Sequence, residues 1–262
     1  MIFDANAYIG NWPFRRMLYR TADELIGLMD RVGIDRAVLS SFDTVFLKDY
    51  SRGNRELAEA ASAHADRLVP FACINPAFPG WERDLRTAVD ELQMRGVSLY
   101  PNYHAYDLAT DGRRIAEEMQ AIDPALPVSL FVRLEDQRRA HWLCRVPDVS
   151  VENVAAFLNA HRELPVIVCG IKAPEALKLA DTVDLSATRA VVEISGMESL
   201  NRPVERVVER IGAERVLLGT YMPFKYPETA LLKFRHSRLT EEQRDRILYR
   251  NLSDIVNAQQ LH

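Results

Sequence analysis

The 262-residue chain is 48% hydrophobic and 27% charged, enough apolar surface to bury a large core and enough charge to stay in solution. Its net charge of −4 speaks against a nucleic-acid or membrane surface as partner, and no apolar run approaches the roughly 18 residues that span a bilayer. Cys73, Cys144 and Cys169 are widely spaced and odd in number, and no basic-then-apolar secretory pattern opens the chain, so a cytoplasmic protein with reduced thiols is expected.

In chain order, short apolar runs alternate with segments of helical periodicity. The run Ile2 to Tyr8 is followed by the capping box Thr21-Ala22-Asp23-Glu24 and a helix over Ala22 to Val32, with Leu25, Leu28, Met29 and Val32 on one stripe. Ala37 to Ser41 and Leu68 to Asn75 are the next strand candidates. Arg83 to Met94 then repeats the helical spacing through Leu85, Ala88, Val89 and Leu92, ahead of the runs Val97 to Tyr100 and Val128 to Arg133. A helix over Val151 to His161, the runs Val166 to Cys169 and Ala190 to Ser195, a helix over Val204 to Ile211 and the run Val216 to Gly219 complete the series. A last helix over Thr240 to Tyr249, capped by Thr240-Glu241-Glu242-Gln243, is expected to close the bottom or side.

The eight runs are apolar throughout, as parallel strands covered on both faces require. Repeated strand-then-helix units imply right-handed crossovers, and eight of them favour an α/β fold of the (β/α)8 TIM-barrel type over an open sheet. No Gly-x-Gly-x-x-Gly follows the first strand, and no linker or repeat divides the chain, so residues 1–262 are expected to form a single domain.

Such a barrel carries its chemistry at the C-terminal ends of the strands. Those ends deliver Asp4, Asn6 and Tyr8, then Tyr100, Asn102 and His104, then Arg133, Glu135 and Asp136, and finally Cys169, Glu193, Thr220 and Tyr221. The loops Gly10 to Arg20 and Leu134 to Ser150 are rich in arginine in an acidic protein, and they leave strands that face each other across the barrel. Guanidinium groups there suit a carboxylate or phosphate, so the expected partner is a small anionic molecule with an aromatic or otherwise apolar body. A solvated rim or a subunit interface is an equal alternative, and it leaves a homo-oligomer open.

Several segments together resemble the amidohydrolase-related family of metal-dependent barrels. They are Ile2 to Gly10, Gly96 to His104, Pro127 to Val146 with its Arg-x-Glu-Asp run, Glu214 to Phe224, and the closing Ile247-Leu248-Tyr249-Arg250-Asn251. The resemblance implies an amidohydrolase-like barrel and hydrolytic or decarboxylating chemistry. It also implies a metal held by a first-strand His-x-His, histidines of the fifth and sixth strands and an eighth-strand aspartate. Those positions read Asn6, Tyr8, the Leu130-Phe131-Val132 run, Cys169 and Tyr221 here, so neither a metal nor another cofactor is expected. A relocated ion on His104, His141 and Glu193 or Glu135 is the alternative.

The residue types then suggest roles. Asn6, Tyr8, Asn102, Arg133 and Arg139 are candidate substrate-binding residues. His141 is the preferred general acid–base, with His104 beside it, each weighed against plain solvation. Glu193, inside an apolar strand, must be protonated or paired, with Arg133 the suggested partner and a structural ion pair standing beside catalysis as its use. Tyr221 either donates to a developing oxyanion or, with Tyr8, fills the place of the ion and hydrogen-bonds across it. Cys169 reads as a small apolar filler. Two functions remain: a metal-independent hydrolase (ester, lactone or amide) or decarboxylase acting on a small anion, and an inactive relative that binds a metabolite or a partner subunit.

Overall fold

The computed structural model describes residues 1–138, 140–197 and 202–258. Nine ladder segments follow one another: β1 (Phe3–Ile9), β2 (Arg36–Ser41), β3 (Leu68–Pro70), β4 (Ala72–Cys73), β5 (Val97–Leu99), β6 (Val128–Phe131), β7 (Val166–Cys169), β8 (Val191–Glu193) and β9 (Val216–Leu217). All pair in parallel, β1 to β3 in one ladder and β4 to β9 in a second, each in sequence order. The run Leu68 to Asn75 supplies both β3 and β4. Between them the Phe71 N–H donates to the Leu39 carbonyl (2.9 Å), while the Ala72 N–H donates to that of Gly96 (2.8 Å), so the chain steps from one ladder to the next.

The last strand returns to the first. The Ala5 N–H donates to the Leu218 carbonyl (2.9 Å), that of Tyr8 to Met222 (2.8 Å), and that of Tyr221 to Asn6 (2.9 Å). A single domain of eight strand runs and surrounding helices results. β1, β6, β7 and β8 are buried from end to end, which is why they read as continuous stretches. Tight packing explains Gly96: a Cβ there would come within 2.5 Å of the Phe71 ring.

The outer helices follow the sequence signals. Ala22–Val32 begins with the reciprocal Thr21/Glu24 capping box, buries Leu25, Leu28 and Met29, and ends at Gly33 in the left-handed region (φ 78°). The segment Arg83 to Met94 is an α-helix over Trp81–Arg86 that widens into a π turn over Thr87–Glu91. The final helix widens likewise over Arg246–Arg250 and continues through Asn251–Asn257. It closes the barrel bottom, where the Asn251 side-chain amide donates to the carbonyls of Ala213 (2.7 Å) and Val216 (2.9 Å). No helix among the described residues is long and apolar enough to cross a membrane.

Candidate functional site

Two buried carboxylates support the mouth from below. Asp4 on β1 accepts from the N–H groups of Asn6 (3.0 Å) and Thr220 (2.9 Å) and from the Thr220 hydroxyl. Glu193 on β8 accepts from the Gly170 N–H and from the N–H (2.6 Å) and hydroxyl (2.7 Å) of Ser195. Burial pushes the Asp4 carboxyl up to about 7, the donors from Thr220 and Asn6 oppose that rise, and Glu193 adds repulsion. A Cβ on Gly219 would fall 1.8 Å from Glu193 Oε2, so only glycine leaves room for that carboxylate.

Glu193 is therefore not paired with Arg133, the partner its burial suggested. Arg133 lines the cavity at the mouth, but its guanidinium is engaged with other groups: Nε donates to Asp148 (2.9 Å), Nη1 to Glu175 (2.7 Å) and the Gly170 carbonyl (2.7 Å), and Nη2 to Glu175 (2.6 Å). Backbone and hydroxyl donors reach Glu193 first because β7 and β8 adjoin, whereas Arg133 leaves β6 pointing at the start of the helix Ala173–Thr182.

One half of the mouth is filled with rings. Tyr8 stacks on Phe42 (4.1 Å, 5°) and meets Phe131 (5.9 Å) and Tyr221 (5.2 Å) edge-on, while Tyr100 stacks on Phe131 (4.7 Å). Tyr8 and Tyr221 do not bond across the axis as their placement suggested. The Tyr8 hydroxyl lies 3.2 Å from that of Tyr100, and the buried Tyr221 hydroxyl has no hydrogen-bond partner among the described residues. Tyr221 also takes φ of 61°, a conformation a bulky residue adopts only where its surroundings hold it.

The other half is open. A cavity of about 540 Å³ lies over the ends of β7 to β9, with Asn6, Thr220 and Tyr221 among the residues lining it together with Glu135, and with Arg15, Lys172, Lys225 and Lys233 around it. Asn6 is 3% exposed; its Nδ2 donates to the Ser195 hydroxyl (3.3 Å), and its Oδ1 is buried without a partner among the described residues. Burial raises the Glu135 carboxyl above the usual range, with Arg15 lowering it in part. The loops after β1 and β6 do meet at this mouth, where Phe14 stacks on His141 (4.3 Å, 4°).

Of the remaining candidates, none of His141, His104 and Asn102 lines this cavity. His141 is exposed on its Phe14 partner, and its Nδ1 accepts from the Leu143 N–H (3.3 Å). Asn102 donates to the Pro147 carbonyl, and Arg139 lies outside the described residues. His104 is packed near Tyr100 and Tyr106 with Nε2 3.2 Å from the Val45 carbonyl, and burial lowers its pKa to about 4. The native protein then resists protonation that the unfolded chain accepts below about 6.5, so His104 withdraws stability as pH falls from there to about 4. That loss is on the order of 3 kcal/mol at most. Proton NMR of the ring should show His104 neutral at pH 5.5, and His104→Gln should flatten the acid limb of a urea-midpoint profile; a ring titrating near 6.5 would contradict both.

The donors at the mouth do not fit a zinc-type ion, which takes imidazole, thiolate or carboxylate ligands. Asn6 offers a neutral amide, burial holds the phenols of Tyr8 and Tyr221 well above their ordinary pKa, and burial with Glu193 nearby does the same to the Cys169 thiol. Among the described residues no group of three or more His, Cys, Asp or Glu is placed to hold a metal.

Comparison with known proteins follows the same outline. The family described as amidohydrolase matches residues 6–251. Among solved structures, 2,6-dihydroxybenzoate decarboxylase from Rhizobium is 17% identical with a TM-score of 0.74, covering 98% of each chain. The 5-carboxyvanillate decarboxylase from Sphingomonas paucimobilis is 14% identical with a TM-score of 0.78, again covering 98% of each chain. A probable 2-pyrone-4,6-dicarboxylic acid hydrolase from Acinetobacter baumannii with citric acid bound is 14% identical with a TM-score of 0.69, covering 98% of this chain and 99% of that one. At these identities the likeness is one of fold. No curated protein matches the sequence.

Proposed function

We propose that this chain, which belongs to the amidohydrolase family, hydrolyses an ester or lactone of a small anionic compound without a bound metal ion. The observation that carries this reading is the composition of the open half-mouth, where Arg15, Lys172, Lys225 and Lys233 share one cavity with Glu135, Asn6 and Tyr221. The cations hold the anionic group of the substrate. Glu135, whose carboxyl burial raises above its ordinary value, takes a proton from the attacking water. The unpartnered Tyr221 hydroxyl donates to the oxygen on which negative charge develops, the role a Lewis acid would otherwise fill. Neighbours in fold include decarboxylases, and a carboxylated phenol would sit in the same cationic cavity, so decarboxylation is the companion reaction to assay.

The test combines metal analysis with a panel of carboxylated lactones, aryl esters and hydroxybenzoates. Expected are far less than one equivalent of transition metal, turnover that survives chelators, and a roughly 100-fold lower kcat in Glu135→Gln with KM little changed. One tightly held equivalent on which activity depends would overturn the proposal. The ring cluster of Tyr8, Phe42, Tyr100, Phe131 and Tyr221 supports a second reading, a relative that binds the anion without turning it over. Saturable binding by calorimetry with no product from any member of the panel would select it.

A further inference from the structure

The helix Pro227–Arg235 turns one face to the cavity, placing Thr229, Ala230 and Lys233 on its wall. Lys233 donates through Nζ to the Met197 carbonyl, and Lys225 donates to that of Ser195 (2.7 Å). Two amines thus lie on the one short turn that follows β8, at the edge of the same cavity, with Arg15 and Lys172 also lining it. The hydrolysis proposed above uses Lys233 only as one of several positive charges.

We propose that Lys233 is an amine nucleophile that captures small carbonyl compounds carrying a carboxylate, that is, oxo acids, as an imine. The unprotonated Nζ adds its lone pair to the carbonyl carbon. The resulting carbinolamine expels its oxygen as water, so one C=N bond replaces one C=O bond and no oxidant or reductant is needed. Lys225, Lys172 and Arg15 hold the carboxylate. Two features fit Lys233 and not a surface lysine: it is half-buried in the cavity wall, and a second ammonium, Lys225, acts on it. Both disfavour its protonated form, burial first and Lys225 second, and together they lower its pKa from 10.5 to about 8. Glu193 is the neighbouring charge that opposes them.

The proposal goes beyond ester or lactone hydrolysis and is tested without it. The full chain is incubated at pH 8 with pyruvate or acetoacetate and sodium cyanoborohydride, then analysed by intact mass and peptide mapping. The expected product gains the oxo acid less one water plus two hydrogens, on the peptide that contains Lys233. At pH 8 the free-amine fraction of Lys233 exceeds that of an ordinary lysine on the order of a hundredfold, so labelling at Lys233 should lead every surface lysine at least tenfold, with an α-amino group counted separately in the peptide map. Lys233→Arg, which keeps the charge and a donor to Met197, should abolish the dominant adduct. Lys225→Met, by removing both the neighbouring charge and one of the cations that hold the carboxylate, should slow its formation severalfold at pH 7. Mapping of the unaltered protein overturns the proposal directly if the adducts spread over exposed lysines and leave Lys233 free. An adduct rate unchanged by Lys225→Met would remove the neighbouring-charge argument. Loss of hydrolase activity has no bearing on any of these readouts.

Discussion

Replacing Arg133 with methionine is expected to lower the stability of the fold by about 3 kcal/mol, the lower end of what breaking a buried charge network does. The guanidinium is 9% exposed and binds Glu175 through two nitrogens, Asp148 through a third and the Gly170 carbonyl besides. It thereby ties the end of β6 to the turn after β7 and to the first turn of the next helix. Gly170 belongs to the same clamp: at φ of 72° it brings its backbone so close that a Cβ would fall 2.5 Å from the Arg133 carbonyl oxygen. Removing the cation leaves two carboxylates facing an apolar side chain. Because Glu175 and Asp148 keep 27% and 31% of their side-chain surface in water, they can rehydrate, which sets the lower figure. For a domain of this size the melting midpoint should fall by roughly 6–12 °C. Arg133→Lys should recover less than half of that, since an ammonium cannot reproduce the two-pronged contact. A midpoint unchanged in Arg133→Met, together with weakened binding of an anionic ligand, would instead make Arg133 the substrate-binding residue that its place at a strand end suggests.

The barrel was legible because its signals are local and repeated. A strand covered on both faces must be apolar throughout, and Val166–Cys169 appears in the structure with the bounds its sequence suggests. The helix Ala22–Val32 is likewise marked by its capping box and stripe. Bounds drift where the ladder is short: β9 is only Val216–Leu217, because Leu218 and the residues after it turn to bond Ala5, Asn6 and Tyr8 instead. The π turns over Thr87–Glu91 and Arg246–Arg250 left no trace in a pattern read at helical spacing.

The site was legible in place but not in detail. Strand ends and the two arginine-rich loops do converge, and Asn6, Tyr221 and Glu135 do meet at one cavity. The lysines that line the cavity come from segments with no motif. Lys172, Lys225 and Lys233 look like solvated lysines in sequence; the helix Pro227–Arg235 brings Lys233 to the β8 turn, Lys225 bonds the same turn from just before that helix, and Lys172 joins the cavity from the end of β7. His141 drew attention through its residue type, yet its ring is spent on Phe14, a contact between loops more than 100 residues apart. The partner of Arg133 was hidden for a related reason. Glu175 stands 42 residues on, at the third position of a helix, where it also accepts from the Lys172 N–H (2.8 Å).

Asp4, one of the two carboxylates beneath the cavity, makes the stability of the barrel depend on pH in the sense opposite to that of most carboxylates. Asp4 is wholly buried, and its pKa rises from 3.8 in the unfolded chain to about 7 in the fold. The folded protein therefore binds a proton that the unfolded chain has released. Its contribution is fully present below about pH 4 and is lost as pH rises through about 7, by roughly 4 kcal/mol in all. His104 acts the other way, restoring stability as pH rises from about 4 to 6.5, so the two contributions largely offset over that range and the net falls only as Asp4 finishes ionising near 7. Asp4→Asn separates the contributions. An asparagine there can still accept from the N–H groups of Asn6 and Thr220 and carries no charge toward Glu193. Expected is a variant within about 1 kcal/mol of the unaltered protein at pH 5 and more stable than it by about 2–3 kcal/mol at pH 8.5, read from urea midpoints at each pH. If the variant is instead the less stable at pH 8.5, Asp4 is held as the anion by its three donors. The floor would then carry two negative charges beneath a cavity whose cations answer them, and the pull on an anionic ligand would be correspondingly weaker.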